Sequence, residues 1–228
     1  NRYMMEINFG YNGSENFASG KRFGFFPSAA LGWNVSNEKF FAPLKEVVSN
    51  FKIRGSYGQV GNDALSIRFP YLTTVNMGNR GYYFGNNFTF KGAGYISTYG
   101  NADATWEIAN KMNVGVDLEL FHSLTLAVDY FTEHRYNIFM QRNSLAATAG
   151  MGATVPYANL GEVDNRGVDI SASYNKVVNE DLTVGVRGTF TYAHNEVKAM
   201  DEPQYPDKNK HLSKIGHPMQ AHKVLVAE

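Results

Sequence analysis

Apolar and polar residues alternate strictly in two neighbouring runs near the middle of the 228-residue chain. In Lys111–Phe121 the even positions from 112 to 120 are apolar, and the odd positions from 111 to 119 are polar or glycine. The alternation resumes at Leu124, after only His122 and Ser123, and continues to about Tyr136. A two-residue period places all the apolar side chains on one face of a strand. The pattern predicts a hairpin with one apolar and one charged face.

These runs are long compared with ordinary strands. Strands in soluble proteins typically have about 5–6 residues, whereas a tilted strand that crosses a bilayer needs about 9–11. The hairpin therefore has membrane-spanning length. Five further runs show the same alternation, which gives seven predicted strands. The additional runs are Tyr3–Tyr11, Phe23–Val35, Phe51–Gln59, Arg166–Lys176 and Leu182–His194.

The connections between the predicted strands alternate in length after the second one. Outer-membrane barrels have short periplasmic turns and longer extracellular loops, so we expect the long connections outside the cell. The second connection, Ser36–Asn50, is an exception, and we expect a short helix starting near Pro43 because proline is favoured in the first helical turn. The long connections are Val60–Thr105, Asn137–Asn165 and Asn195–Gln220, and the short ones are His122–Ser123 and Val177–Asp181.

The pattern predicts an all-β fold, part of a large antiparallel up-and-down transmembrane β-barrel. The alternative is a soluble β-sandwich, whose strands also alternate. Long strands, charges on the polar face of nearly every strand, and loop lengths that alternate by side favour the barrel. Seven strands do not close a large barrel, and each unpaired backbone group in hydrocarbon costs several kcal/mol. We therefore expect the missing strands from the rest of a longer protein.

Composition narrows the function classes. The formal net charge is zero, which argues against a nucleic-acid partner, because such a protein carries a basic patch. The chain has no cysteine, so neither disulfides nor thiolate metal sites are predicted. No run approaches the ~18 apolar residues of a transmembrane helix. A barrel escapes such a test because half of each strand faces a polar lumen.

Enzyme and metal motifs are weak. Ser49–Lys52 matches the S-x-x-K pattern of some serine hydrolases, but the accompanying S-D-N and K-T-G motifs do not occur. The histidines show no H-E-x-x-H spacing. Carboxylates in Asp201–Lys210 offer oxygen ligands suited to calcium, without EF-hand spacing, and a solvated loop is the favoured interpretation. We predict no catalytic residue, no cofactor and no metal site.

Five segments carry a resemblance to a known family. They are Gly20–Glu38, Phe51–Asp63, Thr105–Phe121, Leu124–Phe131 and Asn159–Ile170. In order and spacing this set resembles the SusC/RagA family, the TonB-dependent outer-membrane transporters of Bacteroidetes. The resemblance covers about the whole chain and is weakest in the long loops.

The resemblance implies a barrel of about 22 strands with a plugged lumen, of which residues 1–228 supply about seven or eight strands. It implies energy from TonB, a SusD-like surface lipoprotein that acts as a lid, and import of glycans or peptides across the outer membrane. The plug, the segment that contacts TonB and the remaining strands would then lie outside this sequence. The alternative function is a soluble or surface-displayed β-rich carbohydrate-binding or adhesin module.

Two sets of side chains are functional candidates. The loop Val60–Thr105 is rich in aromatic residues, which suit sugar stacking or contact with a protein lid, although packing within the loop or an aromatic girdle would also explain them. Charged residues on the polar faces would line the lumen or hold the plug. We also expect Trp33, Trp106 and Tyr174 near the membrane interface. The aromatic candidates are Tyr71, Tyr82, Tyr83, Phe84, Tyr95 and Tyr99, and the charged candidates are Lys52, Arg54, Asp117, Glu119, Asp129, Asp169 and Arg187.

Overall fold

The computed structural model describes residues 1–151 and 154–221, which form nine strands and four short 3₁₀ helices. The strands are β1 (Tyr3–Gly13), β2 (Phe23–Asn34), β3 (Val48–Asn62), β4 (Thr74–Phe84), β5 (Thr89–Thr98), β6 (Glu107–Leu120), β7 (Leu124–Gln141), β8 (Tyr157–Asn179) and β9 (Leu182–Ala199). The 3₁₀ helices are Val35–Asn37, Lys39–Leu44, Ala147–Ala149 and Asp207–Leu212.

Seven of these strands form one antiparallel sheet in the order β1-β2-β3-β6-β7-β8-β9. They are the seven strands predicted from the alternation, and each pairs with its predecessor in the up-and-down order. The tight turns and the two 3₁₀ helices of the second connection lie at one end of the sheet, here called the short-turn end. The opposite end is the long-loop end. Within the described part of the chain, no helix is long and apolar enough to cross a membrane.

The register keeps the two faces of the sheet distinct. Apolar residues of one face pair across the central strands, as in the row Val116–Val128–Ile170, and polar residues occupy the other face. Many large apolar side chains of the first face are exposed, for example Ile7 and Phe190. Soluble monomers rarely expose such a large continuous apolar surface. We call the two surfaces the apolar face and the polar face.

The apolar band runs at an angle to the rows of paired residues. On β9 the last apolar residue of this face is Tyr192, and polar residues follow it. The row of paired residues that contains Tyr192 meets β1 at Met5. On β1, however, the apolar residues continue up to Tyr11. The band thus shifts by about one residue per strand, which corresponds to a strand tilt of about 35° for a rise of ~3.3 Å per residue and a strand spacing of ~4.8 Å. Barrel strands are tilted by about 35–45°.

Two predicted loops, Asn137–Asn165 and Asn195–Gln220, are shorter than expected because strand pairing continues past the end of the alternation, and β9 extends to Ala199. The predicted loop Asn137–Asn165 is wrong at both ends, since β7 continues to Gln141 and β8 already begins at Tyr157. A register shift between Arg135 and Ile138, with Asn137 in the left-handed region (φ 57°), explains the error. A bulge inserts one residue, so the two-residue period changes phase although pairing persists.

The long connection before β6 contains its own hairpin. The loop prediction Val60–Thr105 is wrong for β4 and β5, which pair only with each other. Neither strand alternates strictly, which is why the pattern gave no signal. The helix prediction also needs correction, because Pro43 lies in the fifth position of Lys39–Leu44 and not in its first turn.

A small core lies at the long-loop end, where β2 and β3 diverge. Towards the long-loop end their pairing stops at Ser28. The next residue in that direction, Pro27, has no N–H to donate to a neighbouring strand. The gap is filled by a cluster that includes Phe26 and Trp106. Trp106 is only 7% exposed and its Nε1–H donates to the Arg22 carbonyl, so its prediction as a membrane-interface residue is wrong. The buried members are Phe17, Phe26, Ala104 and Trp106.

A charge on the apolar face should destabilise the protein far more than the same charge on the polar face. Val128 lies on the apolar face of β7, and its neighbour Ala127 lies on the polar face opposite Asp117. We expect Val128→Lys to cost about 2–4 kcal/mol, the usual penalty for a lysine facing the middle of the bilayer. Ala127→Lys should cost less than half as much. Denaturant unfolding in lipid vesicles measures both, and equal losses would contradict the assignment of the faces.

Candidate functional site

An ion-pair cluster spans three strands on the polar face. Arg54 of β3 contacts Asp117 of β6, with Nε to Oδ2 at 3.2 Å. Its Nη2 reaches across β6 to Oδ2 of Asp129 on β7, at 2.6 Å. All three residues were charged candidates from the sequence, and the structure brings them together. The arginine therefore links the polar faces of β3, β6 and β7 by side-chain contacts in addition to the backbone ladder.

Gly115 makes this reach possible. It pairs with Arg54 on one side and with Asp129 on the other, so it lies directly beneath the arginine side chain. A Cβ at this position would lie 2.4 Å from Oδ1 of Asp129 and 2.8 Å from Cζ of Arg54. The missing side chain leaves the space through which the guanidinium crosses β6. The sequence alternation identified Gly115 only as a polar-face residue and gave no sign that the ion-pair cluster requires a glycine there.

A second charged cluster lies nearer the long-loop end of the same face. Arg135 contacts Glu133 at 2.6 Å and Glu107 at 3.1 Å, and Lys111 approaches Glu133 at 3.6 Å. None of these four residues was a candidate. Their odd positions place Lys111 and Glu133 on the same face as Asp117 and Asp129, so the alternation could have identified them.

The remaining charged candidates lie on the polar face outside the Arg54 cluster. Among the described residues, Lys52, Asp169 and Arg187 form no side-chain ion pair or hydrogen bond, and Glu119 contacts only His122 of the short turn, at 3.8 Å. Asp169 is the register partner of Asp129, and like charges directly opposite each other destabilise a sheet. Oδ1 of Asp129 is also buried without a hydrogen-bond partner in the described chain. Negative charge therefore exceeds positive charge in this row.

The aromatic candidates fall into two groups. Tyr82, Tyr83 and Phe84 lie at the tip of the β4–β5 hairpin, with Tyr82 77% exposed and its ring 6.3 Å from that of Phe84. Tyr83 lies 5.3 Å from Phe90 of β5. Two-stranded hairpins alone are marginally stable. Exposed aromatic side chains at the tip form a surface suited to contact with a partner, because aromatic residues are enriched at interfaces.

Tyr71 and Tyr99 instead lie at the base of the hairpin, and both are partly buried. The base is held by the Asn101 N–H, which donates to the carbonyl of the fully buried Pro70 at 2.6 Å. Tyr95, in β5, is also partly buried and pairs with Asn76. These three tyrosines are thus integrated into the hairpin and its base, whereas the tip residues are not.

Polar contacts anchor the hairpin connection to neighbouring loops. The Asn159 side chain accepts from the Thr105 N–H and donates to the Thr105 and Asn137 carbonyls, at 2.7–3.0 Å. Lys21 contacts Asp103 at 2.7 Å, and the hydrogen bond from its ammonium lowers the pKa of the Asp103 carboxyl below its usual range. Asn159 was not singled out from the sequence, because a single amide in a strand gives no pattern.

The carboxylates that were considered for calcium have protein partners. Asp201 accepts hydrogen bonds from the Ser144 N–H and hydroxyl, both at 2.7 Å. Glu202 accepts from Ser213 and from the Lys214 N–H, and Asp207 pairs with Lys210. In residues 1–151 and 154–221, no three His, Asp or Glu side chains are grouped so that they could hold a metal ion. The favoured interpretation was a solvated loop, and the structure shows in addition that these carboxylates are engaged by neighbouring protein groups.

The antiparallel sheet, its inclined apolar band and its charged polar face define the class: a segment of a transmembrane β-barrel wall. The family model described as TonB dependent receptor-like, beta-barrel, matches residues 3–216, and the chain belongs to this family. This confirms the family resemblance and places the protein in the outer membrane.

Curated relatives support the assignment. The TonB-dependent receptor P3 of Formosa agariphila is 27% identical over 207 residues, which cover 90% of this chain and 20% of the relative. The TonB-dependent receptor SusC of Bacteroides thetaiotaomicron is 27% identical over 233 residues, covering 98% and 22%. The chain thus spans about a fifth of the length of these relatives.

Solved structures share the fold. The RagAB peptide importer in its "closed-closed" state matches with a TM-score of 0.76 at 21% identity, over 95% of this chain and 23% of the other. The siderophore receptor PirA from Pseudomonas aeruginosa matches with a TM-score of 0.52 at 12% identity, over 87% and 32%. At these identities the likeness concerns the fold alone.

The Arg54 cluster makes Gly115 sensitive to the smallest substitution. We expect Gly115→Ala to displace Arg54 from Asp129 and to lower the free energy of unfolding by about 1–2 kcal/mol, the scale of a hydrogen bond to a charged group. Gly55→Ala is the matched control, because the nearest atom to its added Cβ lies 3.8 Å away. In an Arg54→Gln background the cost of Gly115→Ala should fall by at least half. An unchanged cost in that background would show that the ion pair is not what Gly115 accommodates.

Proposed function

We propose that residues 1–228 form part of the barrel wall of a TonB-dependent outer-membrane importer of glycans or peptides. In this proposal the rest of a longer protein supplies the remaining strands, the plug and the segment that contacts TonB. The observation that carries it is the inclined apolar band on a seven-stranded sheet of the matched family. We orient the short-turn end towards the periplasm, because barrels of this kind have short periplasmic turns.

The sheet edges favour this function over a soluble adhesin or carbohydrate-binding module. β1 and β9 each pair with one strand only among the described residues, and β9 is exposed on both faces from Leu182 to Ala193. A soluble domain would cover or shorten such edges. An incomplete barrel wall leaves them for neighbouring strands, which fits a chain that spans about a fifth of its relatives.

The polar face suits contact with a plug inside the barrel. Asp169 lacks a partner in the described chain, and it lies opposite Asp129, which has one oxygen without a hydrogen bond. A cationic side chain of the plug would neutralise this pair. Lys52 and Arg187, also without side-chain partners among the described residues, offer complementary positive charges on the same face. These four residues are the wall positions that we assign to plug contact.

The aromatic tip of the β4–β5 hairpin suits contact with a SusD-like lipoprotein lid. Its exposed side chains include Tyr82, Tyr83, Phe84 and Phe88, and aromatic residues are enriched at the centres of protein interfaces. The tip lies at the long-loop end, which is extracellular in the orientation proposed here. Names of relatives support a partner of this kind, since one is SusC and a structural neighbour is the RagAB peptide importer.

Energised import is the direct test of the function. Cells that express the full-length protein should accumulate a labelled oligosaccharide or oligopeptide, and accumulation should stop when TonB is removed. The same cells with a plug-less or absent protein provide the control. A folded full-length protein recovered in water without detergent, or uptake that persists without TonB, would contradict the proposal.

The hairpin tip can be tested separately from the barrel. The triple variant Tyr82→Ser, Tyr83→Ser and Phe84→Ser should weaken co-purification of the lipoprotein about tenfold or more, since exposed aromatic anchors dominate many interfaces. Heat-modifiable gel migration should remain unchanged because the tip lies outside the main sheet. Phe40→Ser is the matched control, as Phe40 is 67% exposed at the short-turn end. Unchanged co-purification of the triple variant would exclude the tip as the lid contact.

A further inference from the structure

A cluster of charged and polar side chains follows directly after the apolar band on the lipid-facing side. On β7, β8 and β9 the band ends at Tyr130, Val168 and Tyr192, which share one row. The outward positions directly beyond this row, towards the long-loop end, are polar on β8 and β9, and on β7 they are Thr132 and His134, whose ring stacks on that of Tyr136. We call these residues the outer polar cluster: His134, Asp164, Arg166, His194, Glu196 and Lys198.

Both carboxylates of the outer polar cluster are already engaged. Asp164 Oδ1 lies 2.6 Å from Nδ1 of His134, and its Oδ2 lies 3.8 Å from Nζ of Lys198. Glu196 pairs with the same lysine at 2.8 Å. The anionic groups are therefore paired within the cluster. They do not neutralise the cation that lies nearest to the apolar band.

That cation is Arg166. Within the part of the chain that the structure describes, neither its guanidinium nor the His194 ring has a hydrogen bond or an ion pair. Both line a depression of about 390 Å³, together with Thr132 and Tyr130. Asn110 lines the same depression, and its Oδ1 is buried without a hydrogen-bond partner. The carboxylates of Glu133, Asp164 and Glu196 line the same hollow, and each is already paired with another side chain, Glu133 with Arg135, Asp164 with His134 and Glu196 with Lys198. The unpaired donors of Arg166 and the unpaired acceptor of Asn110 therefore face a hollow whose acidic groups are engaged elsewhere.

The position of the hollow selects its occupant. Tyr130 and Tyr192 end the apolar band, where amphipathic rings mark the boundary between hydrocarbon and head groups. A group beside Arg166 would lie at head-group depth on the outer surface of the barrel. A planar guanidinium binds phosphate oxygens by paired hydrogen bonds, and hydroxyl and amide groups suit sugar hydroxyls.

We propose that the outer polar cluster binds the phosphorylated sugar head group of a glycolipid in the outer leaflet, with Arg166 contacting the phosphate. The acyl chains of the lipid would lie along the apolar band below. This inference uses the orientation of the long-loop end given above. It does not depend on transport activity, the substrate or the lid.

The test compares lipid binding by the full-length protein in detergent micelles. The probe is a diphosphorylated glucosamine disaccharide glycolipid with acyl chains, and its dephosphorylated form is the second probe. Native mass spectrometry measures the fraction bound. We expect Arg166→Gln to weaken binding of the phosphorylated probe about tenfold or more, and His194→Gln to weaken it less. Dephosphorylation should weaken binding to the unaltered protein by a similar factor as Arg166→Gln.

Lys176→Gln is the matched control. Lys176 lies on the same face of β8 but near the short-turn end, and it has no side-chain ion pair in the described chain. This variant should bind the phosphorylated probe as the unaltered protein does. Equal losses for Lys176→Gln and Arg166→Gln would overturn the site, as would equal binding of the two probes. Inorganic phosphate should not displace the glycolipid, and displacement would assign the site to a free anion. A dimer that excludes the probe would assign the hollow to a second copy.

Discussion

The need to satisfy backbone hydrogen bonds in hydrocarbon governs this molecule. In lipid each unpaired N–H or C=O group costs several kcal/mol, and the interior strands of the sheet, β2, β3 and β6 to β8, accordingly pair with a strand on each side. Strict pairing in turn imposes the two-residue period, because successive side chains must face lipid and lumen alternately. The row Val116–Val128–Ile170 and the polar row beside it are the direct result. The apolar exposure that would be a liability in water is what a bilayer requires.

The same constraint explains why charged side chains are concentrated on the polar face of the sheet. Within the apolar band the lipid-facing positions exclude ionised groups, so at this level charges collect on the polar face, where they lie near one another on adjacent strands. Arg54 meets carboxylates from two other strands because Gly115 removes the side chain between them. Such a contact contributes about 1–2 kcal/mol, the scale of one hydrogen bond to a charged group, beside a ladder of many backbone hydrogen bonds. It fixes which way the side chains of Arg54, Asp117 and Asp129 point, and leaves Oδ1 of Asp129 without a hydrogen-bond partner in the described chain.

The sequence predicted the seven-stranded sheet because alternation is a property of each strand alone. Interactions between distant segments left no such trace. A bulge at Asn137 shifted the phase of β7, so pairing beyond Tyr136 was missed. Trp106 lies at a strand end like an interface residue, but its burial depends on Phe17 and Phe26, which are remote in the sequence. Lys111 and Glu133 could have been assigned to the polar face from their odd positions in the alternation. The three hydrogen bonds of Asn159 could not have been predicted in this way.

The length of the strands divides the sheet into a lower zone within the hydrocarbon and an upper zone beyond it, towards the long-loop end. At ~3.3 Å per residue and the tilt of about 35° given by the register, β8 rises by about 60 Å, while the apolar band of such barrels is only about 25 Å tall. More than half of β8 therefore lies beyond the hydrocarbon, where it still pairs with β7 and β9. The core around Trp106 and the anchors at Asn159 lie at this end and hold the long loops on the extension. Lipid constrains the lower zone to a repetitive pattern, whereas the upper zone is held by specific contacts between segments that are distant in the sequence, such as those of Trp106 and Asn159.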